Sequence, residues 1–227
     1  AYRNLELANR GAVRPITVNR PDKLNAFNRE TINELSLAFA QAALDDEVRV
    51  VVLAGSGDKA FVAGADIAEM SGITPQQAQR FSAAGQRMMS SVERLGKPVI
   101  ARIQGFALGG GLELAMACHL RVASDKARFG LPEIQLGLLP GFGGTQRLQR
   151  LAGRAAALEL CLTGTPIDAQ RAYALGLVNQ VATPEALDEQ VNALADRLAA
   201  AAPLAAAAIL DAVVNGGETA IDQGLAY

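Results

Sequence analysis

The sequence predicts an α/β core followed by a helical C-terminal part. Three observations carry that prediction. Residues 48–54, Val-Arg-Val-Val-Val-Leu-Ala, form a β-branched run of the kind found in strands buried on both faces. Strand-like and helix-period segments alternate up to about residue 140. From Thr145 onward the pattern is mostly helical.

Residues 2–8 and 12–19 alternate as two strands of a hairpin around Asn9-Arg10-Gly11. Asn28 is suited to cap a helix running to about Leu44, with Ile32, Leu35, Phe39 and Ala42 on one face. The 48–54 strand ends at Gly55-Ser56-Gly57-Asp58. Thr74 followed by Pro75 opens a helix that carries Ala78, Phe81, Gly85, Met88, Val92 and Leu95 at helical spacing. Residues 98–103 form the next strand. After the glycines of 105–111 an apolar helix runs to about His119, and 120–124 form a strand. A loop rich in glycine and proline spans 130–144. Among the later helices, Gly176 ends one, 177–181 form a last strand, and Thr183-Pro184 caps another. Residues 199–208 are alanine-rich and read as helix, not linker. No flexible linker and no repeat of fixed period stands out.

The chain has 227 residues, 50% of them hydrophobic and 19% charged, which is the balance of a globular protein with a sizeable core. With 21 basic and 23 acidic residues, no global positive field exists to hold nucleic acid or an anionic membrane. The two cysteines, Cys118 and Cys161, and the lone His119 exclude a disulfide scaffold and a multi-histidine metal centre. Aromatics at 4% make no stacking platform. Charges throughout 1–15 argue against a signal peptide, and no apolar run reaches the length of a membrane span. The expectation is a cytoplasmic enzyme or oligomeric binding module.

Several motifs are decoys. Gly55-Ser56-Gly57-Asp58-Lys59-Ala60 fits a dinucleotide fingerprint, but about twenty residues on stands Thr74-Pro75-Gln76, with no acidic residue and no strand. Cys118 and His119 lie roughly 100° apart on a helix and cannot form a dyad; His119 reads as a helix-end residue near a carbonyl. Met88-Met89 reads as core or pocket lining. Arg147 and Arg150 read as ordinary helix charges unless an anionic ligand lies nearby.

The informative stretch is 107–144. Glu113 sits in Leu112-Glu113-Leu114-Ala115-Met116-Ala117-Cys118, where burial raises a carboxyl pKa. Alone, it reads equally well as a structural glutamate satisfied by a cap or an arginine. Gly109-Gly110-Gly111 precede it at a helix start, where free amides make a site for developing negative charge. Tight helix packing is the other reading of those glycines. A second group of small residues, Ala63-Gly64-Ala65, precedes a helix start at Asp66. A second carboxylate, Glu133, follows Pro132 in the glycine/proline loop. Two carboxylates and two donor clusters suggest acid–base work on a carbonyl compound.

At these residues the sequence resembles the crotonase superfamily, the enoyl-CoA hydratase/isomerase family. The matching segments are Asn19-Arg20-Pro21-Asp22-Lys23-Leu24-Asn25-Ala26-Phe27, Phe61-Val62-Ala63-Gly64-Ala65-Asp66-Ile67, residues 105–113, and 132–148, in the family's order over essentially the whole chain.

The resemblance implies a spiral of ββα units, with a core over 1–195 and the start of a helical C-terminal trimerisation part over 196–227. It implies an acyl-CoA thioester substrate, with coenzyme A as part of the substrate and no separate cofactor or metal, in fatty-acid β-oxidation chemistry. It implies a homotrimer or a hexamer, with no nucleic-acid or membrane partner. The thioester oxygen would rest on the amides of Ala65 and Gly110. Leu24, Ala26, Ala63, Asp66, Ile67 and Ala68 would line the coenzyme A arm, with Gly109, Pro132 and Gly141 also touching substrate. Glu113 and Glu133 occupy the places of the two catalytic glutamates. Isomerase members commonly lack the first, so the pair favours hydration of a trans-2-enoyl-CoA. Family chains usually continue past the equivalent of Tyr227. Rival readings are an isomerase, a hydrolase or decarboxylase on the same fold, and a non-enzymatic coenzyme A- or RNA-binding scaffold. The last wants a basic helix, whereas the one opened by Thr74 carries Arg80, Arg87 and Arg94 offset by Glu93.

Overall fold

The computed structural model describes residues 2–225, apart from the side chains of Ile67 and Met70. Ala1 and the Tyr227 terminus therefore lie outside the described residues.

Strands β1 (Leu5–Leu7) and β2 (Val13–Val18) pair antiparallel, with Leu5 opposite Val18. Helix α1 (Arg29–Leu44) starts where Asn28 predicts: its side-chain oxygen accepts the Thr31 amide at 2.8 Å. Strand β3 (Val50–Gly55) is buried at every position. Its alternation divides two cores: Val51 and Leu53 face the main one, Val50 and Val52 a second on the opposite face of the sheet. Helix α7 (Leu187–Ala199) covers that second face with Leu187, Val191 and Leu194.

From β3 onward the chain repeats one unit three times. Each unit sends a strand to a six-stranded sheet, then a second strand to a four-stranded sheet, and is completed by a helix. The first comprises β3, β4 (Ala60–Ala63) and, after the short α2 (Ile67–Met70), α3 (Pro75–Glu93). The second comprises β5 (Val99–Ile103), β6 (Phe106–Leu108) and α4 (Gly110–Ala117). The third comprises β7 (Leu120–Ser124), β8 (Arg128–Gly130) and, after a 3-10 turn at Pro132–Leu136, α5 (Gly144–Thr163). With β9 (Ile167–Asp168), α6 (Ala169–Ala174) and β10 (Gln180–Ala182), the sheets run β1-β2-β3-β5-β7-β10 and β4-β6-β8-β9.

This repeat has no fixed period because its first strands begin unevenly, at Val50, Val99 and Leu120. The second strands are three or four residues long and parallel to one another, too short to alternate visibly. Sequence reading therefore assigns no strand at β4, β6 or β8.

Two further expectations need correction. Thr183 does not cap a helix: its carbonyl accepts the Ala186 amide at 3.1 Å in a turn, and α7 begins only at Leu187. The alanine-rich stretch is not one helix. Helix α7 ends at Ala199 and α8 (Pro203–Val214) leaves at 105°. The cause is Pro203, which holds Ala202 extended (ψ 115°) and lacks the amide a continuing helix would use. Helix α5 likewise breaks at Gly153, whose φ is 83°. A last short helix, α9, spans Ile221–Gly224. Among the described residues no single helix is long and apolar enough to cross a membrane.

Candidate active site

The first donor stands at the start of α4. Gly109 has φ 53° and ψ −126°, a conformation open essentially to glycine alone, and this turns the chain from β6 into the helix. The first helical bond runs from the Glu113 amide to the Gly109 carbonyl at 3.0 Å, so the Gly110 amide precedes the ladder. Packing is the other half of the explanation for these glycines. A Cβ at Gly111 would overlap the Val62 carbonyl, so α4 lies directly on β4.

The second donor is placed by the 19–27 segment. Leu24 and Asn25 both take left-handed backbone, with φ of 49° and 59°. Buried Asn25 holds this turn: its amide donates to the Ser56 and Ala60 carbonyls, and its oxygen accepts the Arg20 amide. Phe27 then bridges to Ala65. The Phe27 amide donates to Gly64 at 2.8 Å and the Asp66 amide donates to Phe27 at 2.7 Å. Bonds from the flanking residues to one strand leave the Ala65 N–H pointing the opposite way. Neither the Ala65 nor the Gly110 amide donates to an acceptor among the described residues.

Both donors border one cavity of about 410 Å³, together with Ala63, Gly109, Glu113, Pro132, Glu133 and Gly141. Leu24, Ala26, Asp66 and Ala68 do not line it. They flank its β4 side: the Leu24 carbonyl accepts the Ala63 amide at 3.0 Å, the Ala26 carbonyl accepts from Arg20, and Asp66 pairs with Arg20 at 2.9 Å. The Arg20 guanidinium holds the Asp66 carboxyl below its ordinary range. Ile67 begins α2, and its side chain lies outside the described residues.

Glu113 is 1% exposed. Its Oε1 accepts the Phe142 amide at 2.8 Å and the Gly144 amide at 2.7 Å. Desolvation dominates its titration and, with the neighbouring Glu133 charge, pushes its pKa up to about 7 despite those two amides and the nearby Arg147. Glu133, one residue into the 3-10 turn, is also raised, chiefly by burial. Its Oε2 is buried without a protein partner. The two carboxyls thus share a largely apolar cavity in which neither is an ordinary surface carboxylate.

Sequence reasoning missed what holds Glu113. The grip comes from 140–144, another glycine-rich helix start whose free amides suit a carboxylate. The signal was the same one that singled out Gly109-Gly110-Gly111. Arg147 is no ordinary helix charge: it donates to both oxygens of Glu93, each at 2.7 Å, and to the Phe142 carbonyl at 2.8 Å. Phe142 packs edge-on to Phe81, with ring centres 5.4 Å apart, and walls the cavity. His119 sits as expected near a carbonyl, that of Glu93, at 3.0 Å. Met88 and Met89 are core.

The enoyl-CoA hydratase/isomerase family model matches residues 8–226. The short-chain-enoyl-CoA hydratase of Clostridium acetobutylicum is 43% identical over 224 residues, covering 99% of this chain and 86% of that one. The crotonyl-CoA hydratase of Syntrophomonas wolfei is also 43% identical, covering 99% and 86%. The crystal structure of an enoyl-CoA hydratase from Bacillus anthracis superimposes with a TM-score of 0.95 at 38% identity, over 98% of this chain and 87% of that one. The chain belongs to the enoyl-CoA hydratase/isomerase family and has its crotonase fold.

Proposed function

We propose that this protein hydrates a trans-2-enoyl-CoA to a 3-hydroxyacyl-CoA. The observation that carries the reading is the buried Glu113 and half-buried Glu133 carboxyls facing one cavity beside two unbonded backbone amides. Membership in the family and the hydratase relatives support it.

The Ala65 and Gly110 amides donate to the thioester oxygen and stabilise the negative charge that develops there. Glu113, in its charged form, takes a proton from water as the water oxygen bonds to the β-carbon. The electron pair of the double bond moves towards the thioester oxygen as an enolate. Glu133, whose pKa burial raises, delivers a proton to the α-carbon. Exchange with solvent then restores both carboxyls. A pKa of about 7 leaves a substantial charged fraction of Glu113 at neutral pH while keeping it a competent base. No group beyond these is required, because the thioester itself acidifies the α-position.

Assembly into trimers or hexamers fits the apolar face of α8. None of its residues is buried, and Leu204, Ile209 and Val213 are exposed. We assign the chain from 196 onward to that assembly part.

The test is loss of conjugated-thioester absorbance on mixing with crotonyl-CoA. Rapid loss is expected, reduced by on the order of 10²–10⁴ in Glu133→Gln. Binding of crotonyl-CoA without any loss would overturn the short-chain hydratase reading and favour isomerisation or a different acyl group.

A further inference from the structure

Glu113 stands on α4, but the groups that hold its carboxylate stand on the 140–144 segment. Both amides on its Oε1, those of Phe142 and Gly144, belong to that segment. Gly143 between them has φ 104°, so no regular ladder stiffens it. Ser82 and Gln86 of α3 hold its Gly141 carbonyl, and Arg147, in the first turn of α5, anchors the Phe142 peptide itself. Nη1 donates to the Phe142 carbonyl at 2.8 Å, while Nε and Nη2 form a two-pronged pair with Glu93 at 2.7 Å each. A Cβ on Gly143 would run into this guanidinium, so the segment is seated directly against it.

Glu93 is itself fixed at the end of α3. Its carbonyl accepts from His119 Nε2 at 3.0 Å, and His119 Nδ1 accepts the Val99 amide at 2.9 Å, which sets the tautomer. The Arg147 and Glu93 side chains are only 13% and 28% exposed, unlike an ordinary surface pair. A continuous path of hydrogen bonds therefore runs from β5 and α3, through Arg147 and the Phe142 peptide, to Glu113.

We propose that Arg147 and Glu93 form the positioning pair for Glu113, setting the Phe142 and Gly144 amides that aim its free oxygen into the cavity. The inference rests on the reading of Glu113 as the base. The pair supplies geometry through the Phe142 peptide and charge through the guanidinium. The charged and titratable groups facing Glu113 are Arg147 and the neutral thiol of Cys161 from α5, and Glu133 from the 3-10 turn. Glu93 faces Arg147 from α3 and offsets part of its field.

The experiment compares Arg147→Gln, Arg147→Lys and Glu93→Gln in the full chain. The protonation of Glu113 is followed by infrared difference titration against the same backgrounds carrying Glu113→Gln, a readout that needs no turnover. Hydration of crotonyl-CoA gives kcat and KM in parallel.

Arg147→Gln is expected to move the titration to higher pH and to lower kcat on the order of 10- to 100-fold through misplacement of the base. KM should stay within about twofold, because the lost interaction is not a ground-state contact. Arg147→Lys keeps the charge but not the fork, so kcat falls while the titration stays near wild type. Glu93→Gln unmasks the guanidinium and moves the titration to lower pH.

A folded Arg147→Gln protein with unchanged titration and kcat overturns the proposal. If that variant does not fold, an unshifted titration in Glu93→Gln overturns it instead. Should the wild type leave crotonyl-CoA untouched, the hydratase reading fails while the infrared titration still decides the positioning pair.

Discussion

The two carboxyls of the cavity are mounted in opposite ways. Glu113 rises from α4, a helix in which every residue is buried, and two amides grip one of its oxygens. The segment supplying those amides is tied down from two sides. Ser82 and Gln86 of α3 both donate to the Gly141 carbonyl, and Arg147 donates to that of Phe142. Glu133 sits on the 3-10 turn Pro132–Leu136, with Ile134, Leu136, Leu138 and Leu139 exposed around it. Among the described residues one hydrogen bond joins this turn to another element, from Gln135 to the Gly164 carbonyl at 3.4 Å. The difference fits the division of labour proposed above, with Glu113 as base and Glu133 as proton donor. A base that must aim a water at one carbon gains from being held. A proton donor that must reach the α-carbon and then recharge from solvent gains from a freer oxygen and an open edge.

The largest expected contrast is in the pH dependence of stability. The Glu113 carboxyl goes from an ordinary 4.5 in the unfolded chain to about 7 when folded, so folding favours its protonated form. Its contribution is fully present below the unfolded value and is lost as pH rises through the folded one. At about 1.4 kcal/mol per pH unit between the two values, the loss amounts to about 3 kcal/mol. Urea unfolding of the wild type should show this decline between pH 4.5 and about 7. Glu113→Gln should flatten it. Glu133→Gln should flatten it less, because the Glu133 carboxyl is less deeply buried and is raised without reaching so far. Equal slopes in the two variants would break the contrast between the carboxyls.

Much of this arrangement was legible in the chain before any coordinates, and the reasons differ by element. The Asn28 and Thr74 caps announce α1 and α3 because a cap is a local contact between residues three apart. Strand β3 is legible because burial on both faces demands an unbroken apolar run. Glu113 is legible because a carboxyl amid apolar helix neighbours has to be compensated. Strands β4, β6 and β8 were not legible. Three or four residues cannot show a period, and what makes them strands is pairing across residues about 22 to 46 positions apart. The roles of Arg147 and Glu93 were hidden for the same reason: one stands on α5, the other on α3, and only the folded chain brings them together.

A middle-sized effect is expected from paired glycine substitutions that load each carboxyl separately. At Gly144 an added Cβ would sit 2.9 Å from Glu113 Oε1 and 3.0 Å from the Pro140 Cβ. Gly144→Ala should therefore push the carboxylate off its amides and lower kcat about tenfold with little change in melting temperature. At Gly109 the Cβ would lie 3.0 Å from Glu133 Oε1, on a backbone that L-residues avoid. Gly109→Ala should lower kcat too, but should also cost about 1–3 kcal/mol of stability from backbone strain. Measuring kcat and thermal unfolding together separates them. If Gly144→Ala destabilises as much as Gly109→Ala, the tight mounting of Glu113 is a feature of the core and not of the site.

The smallest expected effect comes from the Glu133 side. Gln135→Ala removes the turn's bond to Gly164, a long contact at an exposed side chain. A hydrogen bond of that kind contributes about 0.5 kcal/mol or less, so stability should scarcely move. The turn keeps its own closure, with the Leu138 amide donating to the Glu133 carbonyl at 3.0 Å and Gly137 accommodating φ of 70°. The variant should therefore hydrate crotonyl-CoA at a rate within about twofold of wild type, as surface changes generally do. The informative result is the comparison with Arg147→Gln, which removes a tether from the other carboxyl's segment. If cutting the Gln135 tether slows turnover as much as cutting the Arg147 one, Glu133 is held as firmly as Glu113. Its turn would then owe its position to the packing of Pro132 and Ile134 around Gly164 on α5's C-terminal side, where an added Cβ would already crowd both residues.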